Sequence, residues 1–250
     1  MKENKQFNFF CGLPRAGNTL LSSILNQNPD VAVGANSLVP EIFLQLRNLY
    51  HTEVFKNFPD ALSLNNIIHN VLPCYYHHWK AKYILDRGTW GTQDSLYLLK
   101  SLQPYLNTPL KFVVLIRPVL DILASFMRIE KPNDVEARCH ELMKKDGMVG
   151  KAWLSYKNLL KEDSLIIHYD HFVADPQKTI DKIYTFLNIP SFNHSFINLD
   201  QFRINEIMYD DGVIGSPLHQ IRTDKILKHI HKLDFYLPKC IIDKYNNWKL

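Results

Sequence analysis

The sequence has few cysteines, no long apolar run and little net charge. Its four cysteines (Cys11, Cys74, Cys139, Cys240) are far apart and form no CxxC pair. That argues against a disulfide framework or a zinc site and suits reduced thiols in the cytoplasm. No apolar stretch approaches the ~18 residues that span a bilayer. The polar opening Met1-Lys2-Glu3-Asn4-Lys5-Gln6 runs directly into an apolar segment, without the layout of a signal peptide. The sequon Asn193-His194-Ser195 therefore reads as chance. A formal charge of +4 over 250 residues is too weak for a nucleic-acid surface but suits one anion pocket. His77-His78 and His229-Ile230-His231 lack metal-site spacing with a third ligand, so no metal is indicated.

What is present is ordinary globular composition, 46% hydrophobic and 22% charged, enough for one domain over residues 1–250. Strands and helices alternate without repeats or low-complexity linkers. Strands are expected at Phe7–Gly12, Val31–Gly34, Tyr83–Asp86, Lys111–Ile116 and Leu165–Tyr169. Helices are expected after the first strand, over Pro40–Tyr50, over Ser63–Trp79 with a kink or division at Pro73, and from Thr92 or Asp94 to Pro104. Further helices follow Arg117-Pro118, cover 134–161 with interruptions at Gly147 and Gly150, and open on Asp175-Pro176; the last runs Pro238–Trp248. The pattern predicts an α/β fold, one doubly wound domain with a central parallel sheet and a phosphate-loop-like strand-loop-helix. The polar stretch 192–223 is expected to be a lid or binding loop.

The chemistry centres on Gly12-Leu13-Pro14-Arg15-Ala16-Gly17-Asn18-Thr19-Leu20, a phosphate-loop pattern with its lysine replaced by Asn18. Glycines let such a loop curl around an anion, and the amides of the first helical turn point at it. The loop's cation is instead Arg15. In this fold class ligands bind beyond the carboxyl ends of the strands, which groups Arg15, Asp86-Arg87, Arg117 and Tyr169. Guanidinium forks suit phosphate- or sulfate-like oxygens. A magnesium-dependent phosphotransferase would place an acid where this chain has Arg117.

These residues resemble those of the sulfotransferases that use 3′-phosphoadenosine 5′-phosphosulfate. Gly12 to Leu21 is similar to their 5′-phosphosulfate loop, especially the "PRSGTTL" form of tyrosylprotein sulfotransferases and bacterial relatives. Arg117-Pro118-Val119-Leu120-Asp121-Ile122-Leu123-Ala124-Ser125 resembles their 3′-phosphate motif. His168 to Pro176 resembles "YEDLVADP", and Leu218-His219-Gln220-Ile221-Arg222 a late "LHxIR" stretch of bacterial and marine members. The resemblance implies that the amides of Ala16 to Thr19, reaching Leu20, hold the phosphosulfate with the side chains of Asn18 and Thr19. It puts Arg15 on the bridging or sulfonate oxygens, Arg117 and Ser125 on the 3′-phosphate, Tyr169 at the adenine and Arg222 beside the nucleotide. The product would be 3′-phosphoadenosine 5′-phosphate.

Transfer to a hydroxyl requires a base and a cation on the leaving oxygen. Asp86 and Arg87 supply both types at one strand end and are the expected pair, Arg15 completing the catalytic set. The chain departs from tyrosylprotein sulfotransferases at Gly34-Ala35-Asn36-Ser37, where they carry glutamates; Glu41 and His51 are the fallback bases. Tyr75, Tyr76, Trp79 and Trp90 suit either an acceptor cleft or the core. Lys225–Lys232 reads as a basic helix face, a solvated surface or part of the 3′-phosphate site. The sequence leaves open a magnesium-dependent kinase with a degenerate loop and a nucleotide-binding module without turnover. It fixes neither the oligomeric state nor the acceptor, which is open among carbohydrate, lipid, peptide and small metabolite.

Overall fold

A computed structural model describes residues 5–106, 108–213, 215 and 217–248. Five parallel strands, β1 (Gln6–Gly12), β2 (Val31–Asn36), β3 (Tyr83–Arg87), β4 (Phe112–Ile116) and β5 (Ser164–His168), form a sheet in the order β2-β3-β1-β4-β5. The apolar run of β4 and all of β3 are buried, as a strand covered on both faces requires. The chain leaves β1 toward β2 on one side and later reaches β4 on the other. The turns after β1 and β4 therefore straddle the point where strand order reverses, the usual crevice of such sheets.

The helices are α1 (Asn18–Leu25), α2 (Val39–Asn48), α3 (Glu53–Asn57), α4 (Ala61–Tyr75), α5 (Gln93–Leu102), α6 (Val119–Glu130), α7 (Val135–Met143), α8 (Met148–Leu159), α9 (Tyr169–Ala174), α10 (Pro176–Leu187), α11 (Leu233–Tyr236) and α12 (Lys239–Tyr245). Sequence caps explain several starts. Thr92 accepts from the Ser95 amide, and Asp175 accepts from the Lys178 amide with Pro176 at the first helical position. Pro73 lies in the last turn of α4, which ends two residues later instead of dividing there. The 134–161 region breaks once, at Gly147. Gly150 stays inside α8, and its lack of a side chain admits the Lys144 carbonyl, whose oxygen would lie 2.0 Å from a Cβ there. Tyr169 opens α9 instead of closing β5.

Two further expectations change. The 192–223 stretch contains a hairpin, β6 (Arg203–Ile204) with β7 (Ile207–Met208), turned by Asn205 and Glu206 at positive φ. Lys225–Lys232 is not a helix: it runs back as an irregular segment, bridged to Ile197 through Lys225, with the Thr223 carbonyl accepting from the Leu199 amide.

Gly12 ends β1 where the chain comes closest to α1. A Cβ there would lie 1.8 Å from Oδ1 of Asn18. Gly12→Ala is expected to cost about 1–3 kcal/mol by overpacking, read as a fall in Tm. Adding Asn18→Ala, which removes the clashing atom, should return part of the loss; strict additivity would contradict this packing.

Candidate functional site

The loop between β1 and α1 takes its shape from two left-handed residues, Arg15 (φ 58°) and Gly17 (φ 94°). The first bond of α1 runs from the Leu21 amide to the Gly17 carbonyl, so the amides of Asn18, Thr19 and Leu20 have no helical partner. They form the open end of the helix. The Ala16 amide, in contrast, bonds the Leu13 carbonyl at 3.2 Å and is not free for an anion. The Asn18 side chain also turns inward: its Nδ2 donates to the Leu13 carbonyl at 2.8 Å, and its buried Oδ1 faces Gly12. It braces the loop where an anion ligand was expected.

Arg15 and Arg117 meet at this loop. Arg15 Nε donates to Ser125 Oγ at 3.2 Å and its Nη1 to the Leu218 carbonyl. Arg117, following β4, donates from Nη1 to the Arg15 carbonyl (3.2 Å) and from Nη2 to the His229 carbonyl (2.8 Å). Its guanidinium lies 4.2 Å from the centre of the Tyr169 ring, a cation–π contact. Tyr169 is buried against Gly17, and its hydroxyl accepts from the His229 amide. The structure thus brings Arg15, Arg117, Ser125 and Tyr169 together, with Ser125 on Arg15 and Tyr169 as a platform for Arg117. Burial and the neighbouring Arg128 and Arg117 lower the pKa of Arg15. Among the described residues, Arg15, Arg117 and Arg128 join no ion pair. Arg222 is exposed, close enough to add to the field at His229. The arginines concentrate positive charge at this end of the sheet.

The other strand end is built differently. Asp86 is fully buried. Its Oδ1 accepts from Ser37 Oγ (2.7 Å) and Trp90 Nε1 (2.9 Å), and its Oδ2 from Tyr76 Oη (2.5 Å). With both oxygens engaged and no exposed surface, Asp86 fastens α4 and the end of β2 to β3, and the geometry does not favour it as a base. Tyr76 and Trp90 are accordingly core residues, not a cleft lining. Arg87 is likewise buried and donates to the Tyr209 hydroxyl at 2.8 Å, so its fork is turned to the protein, away from a leaving group. Burial pushes the Asp86 carboxyl up to about 6 from 3.8, against the pull of its three donors. A carboxyl harder to ionise in the folded chain contributes stability that is complete below pH 3.8 and lost as pH rises to about 6. Relative to Asp86→Asn, the wild type should therefore gain up to roughly 3 kcal/mol on acidification from pH 7 to 4, read by urea unfolding. A pH-independent difference would contradict the burial.

Asp211 and His219, eight positions apart in turn-rich chain, form a unit that the sequence does not display. His219 Nδ1 lies 2.7 Å from Asp211 Oδ1, and the His219 amide donates to Oδ2 at 3.1 Å. The imidazole stacks on Tyr209, with centroids 3.7 Å apart and planes 3° from parallel. The stack links it to Arg87. Leu218, whose carbonyl takes the Arg15 guanidinium, precedes it directly, so the dyad sits beside the phosphate-type loop. An Asp–His pair fixes the tautomer and leaves Nε2 as the basic nitrogen. Among the described residues no group of His, Cys, Asp and Glu has the makings of a metal site.

The fold and site together define a class: an α/β parallel sheet with a glycine-turned loop after β1, arginines gathered at the carboxyl ends of the strands, and Arg117 in place of an acid after β4. The sequence profile of the Sulfotransferase family matches residues 9–194, and the chain belongs to that family. It is 20% identical to protein-tyrosine sulfotransferase 1 of Danio rerio over 263 positions, covering 94% of this chain. The chain spans 66% of that relative's length. The sulfotransferase domain from the curacin biosynthetic pathway shares the fold at a TM-score of 0.55, with 16% identity over 98% of this chain and 92% of that one. The sulfotransferase domain of the Synechococcus PCC 7002 olefin synthase aligns at a TM-score of 0.49, with 17% identity over 99% and 90%.

Proposed function

We propose that this chain transfers a sulfonate group from 3′-phosphoadenosine 5′-phosphosulfate to a hydroxyl acceptor, without calling on a metal ion. The observation that carries the reading is the set of guanidiniums, Arg15 and Arg117 foremost, that join no ion pair among the described residues and stand at the open amides of Asn18, Thr19 and Leu20. An anion with two charged ends fits such a site. The donor supplies an activated sulfonate, whose bond to the phosphate breaks as the acceptor oxygen bonds to sulfur. The helix amides and Arg15 face the phosphosulfate, and Arg117 faces the 3′-phosphate. Ser125 holds Arg15 in place. Tyr169 supports Arg117, and Arg222 adds positive field at the rim.

The base in this reading is His219. Its Nε2 takes the acceptor proton while Asp211 holds Nδ1 and stabilises the imidazolium. Arg87 and Tyr209 act as positioning residues through the stacked ring. Asp86 supports the wall behind them. Four free thiols among the described residues, and no described helix long and apolar enough to cross a membrane, support assignment to the cytoplasm.

The test is direct. Purified protein is incubated with radiolabelled 3′-phosphoadenosine 5′-phosphosulfate and a panel of carbohydrate, lipid, peptide and small hydroxyl acceptors, with EDTA present. The reading expects label on a hydroxyl compound in stoichiometric step with 3′-phosphoadenosine 5′-phosphate. Label transfer that requires added Mg²⁺, or phosphate transfer from ATP, would overturn it.

A further inference from the structure

The irregular segment 223–232 returns across the arginine cluster and brings a buried imidazole with it. His231 is only 6% exposed, and neither ring nitrogen has a hydrogen-bond partner among the described residues. Leaving both unpaired in a folded interior is costly. The ring is anchored: it stacks on His229 with centroids 5.1 Å apart and meets the Tyr236 ring edge-on at 6.0 Å. The His229 backbone is clamped at both ends, its carbonyl by Arg117 and its amide by Tyr169. Nearby, the Nε atoms of Arg117 and Arg128 are also buried and unpartnered.

These unsatisfied groups are mostly donors: two guanidinium N–H groups and at least one imidazole N–H. Such a set, donors in the majority and one ring nitrogen that becomes a donor on protonation, selects a multi-oxygen anion, and a phosphate monoester fits. We propose that His231, with Arg128, completes the 3′-phosphate site of the nucleotide, and that the imidazole takes up a proton when the phosphate arrives. This rests on the reading of Arg117 as the 3′-phosphate residue. The groups facing His231 are Arg117 and Arg128 from the two ends of the α6 segment, Arg15 from the loop, His229 from its own segment and Tyr236 from α11. Burial, then Arg117 and His229, then Arg128 and Arg15, hold the imidazole down to about 4, so it is neutral without a ligand. A dianion reverses the sign of that field. The proton belongs to the stacked pair as much as to one ring, since His229 is depressed by burial and the same arginines.

Titration calorimetry at pH 7.5, where a phosphate monoester is already dianionic, in buffers of different ionisation enthalpy measures the proton. The probes are 3′-phosphoadenosine 5′-phosphate and ADP, which lacks the 3′-phosphate. The bisphosphate is expected to bind with a measurable net uptake of protons and ADP with almost none. His231→Gln should remove most of the uptake and weaken the bisphosphate several-fold while leaving ADP unchanged. Should that variant fail to fold, imidazole NMR shifts of the wild type, with and without the bisphosphate, report the same protonation. A preference for the bisphosphate without proton uptake would overturn the role of His231 alone. Equal binding of the two nucleotides would overturn the 3′-phosphate reading beneath it.

Discussion

His219→Ala is expected to lower turnover about 10²–10⁴-fold, the usual contribution of a general base, with affinity for 3′-phosphoadenosine 5′-phosphate within a few-fold of wild type. The split follows from the geometry. The His219 ring stacks on Tyr209 and pairs with Asp211, and neither contact involves the helix amides or Arg117 that would hold the nucleotide. Asp211→Asn should behave in the same direction, because an amide in that place allows the wrong imidazole tautomer to form. Asp86→Asn is the contrast. It disturbs a carboxylate that accepts from Ser37, Trp90 and Tyr76, so its main effect should fall on stability, with turnover of the folded fraction changed little. Turnover lost on Asp86→Asn and retained on His219→Ala, measured on folded protein, would reverse the assignment.

Arg117→Ala is expected to weaken binding of 3′-phosphoadenosine 5′-phosphate by about 30- to several-thousand-fold, corresponding to the 2–5 kcal/mol typical of removing one partner of a buried charged contact. ADP should lose much less. The substitution removes the charge, the bond to the Arg15 carbonyl that shapes the loop, and the bond to the His229 carbonyl that holds the returning segment. Lysine should not restore the affinity, since a single ammonium cannot span two carbonyls and lie flat on Tyr169 as a guanidinium does. Parallel calorimetry of both nucleotides on Arg117→Ala and Arg117→Lys checks this. An equal loss for ADP would mean that the residue shapes the loop without reading the 3′-phosphate.

The parts of the molecule legible in the sequence are those dictated locally. The apolar runs of β1 and β4 are read from hydrophobic continuity. The Gly12–Gly17 turn and the Asp175-Pro176 helix start follow from backbone preferences of neighbouring residues. Arg15 and Arg117 follow from the rule that ligands gather at carboxyl strand ends, and they do lie together. Side-chain direction was not legible. Asn18 occupies the lysine place of a phosphate loop yet turns toward Leu13, because Gly12 leaves a hollow of its size. Asp86 and Arg87 share a strand end with the loop, but burial commits one to Ser37, Tyr76 and Trp90 and the other to Tyr209.

Nor does periodicity register the late segment. Asp211 and His219 are eight positions apart in turn-rich chain, and only the fold-back brings them together. Lys225–Lys232 has basic residues at helical intervals, yet it stays irregular because its backbone is bonded to Arg117 and Tyr169 and paired with the 197–199 stretch. Tertiary partners outweigh propensity there.

The central claim is that this loop and its arginines hold a nucleotide carrying a 3′-phosphate and do so without magnesium. The measurement that tests it most directly is equilibrium binding of 3′-phosphoadenosine 5′-phosphate, ADP and ATP to the purified chain, each with Mg²⁺ and with EDTA. The account predicts that the 3′-phosphorylated nucleotide binds at least about tenfold, some 1.4 kcal/mol, more tightly than ADP, and equally in Mg²⁺ and in EDTA. Binding indifferent to the 3′-phosphate, or ATP binding that appears only with Mg²⁺ and exceeds it, would contradict the account.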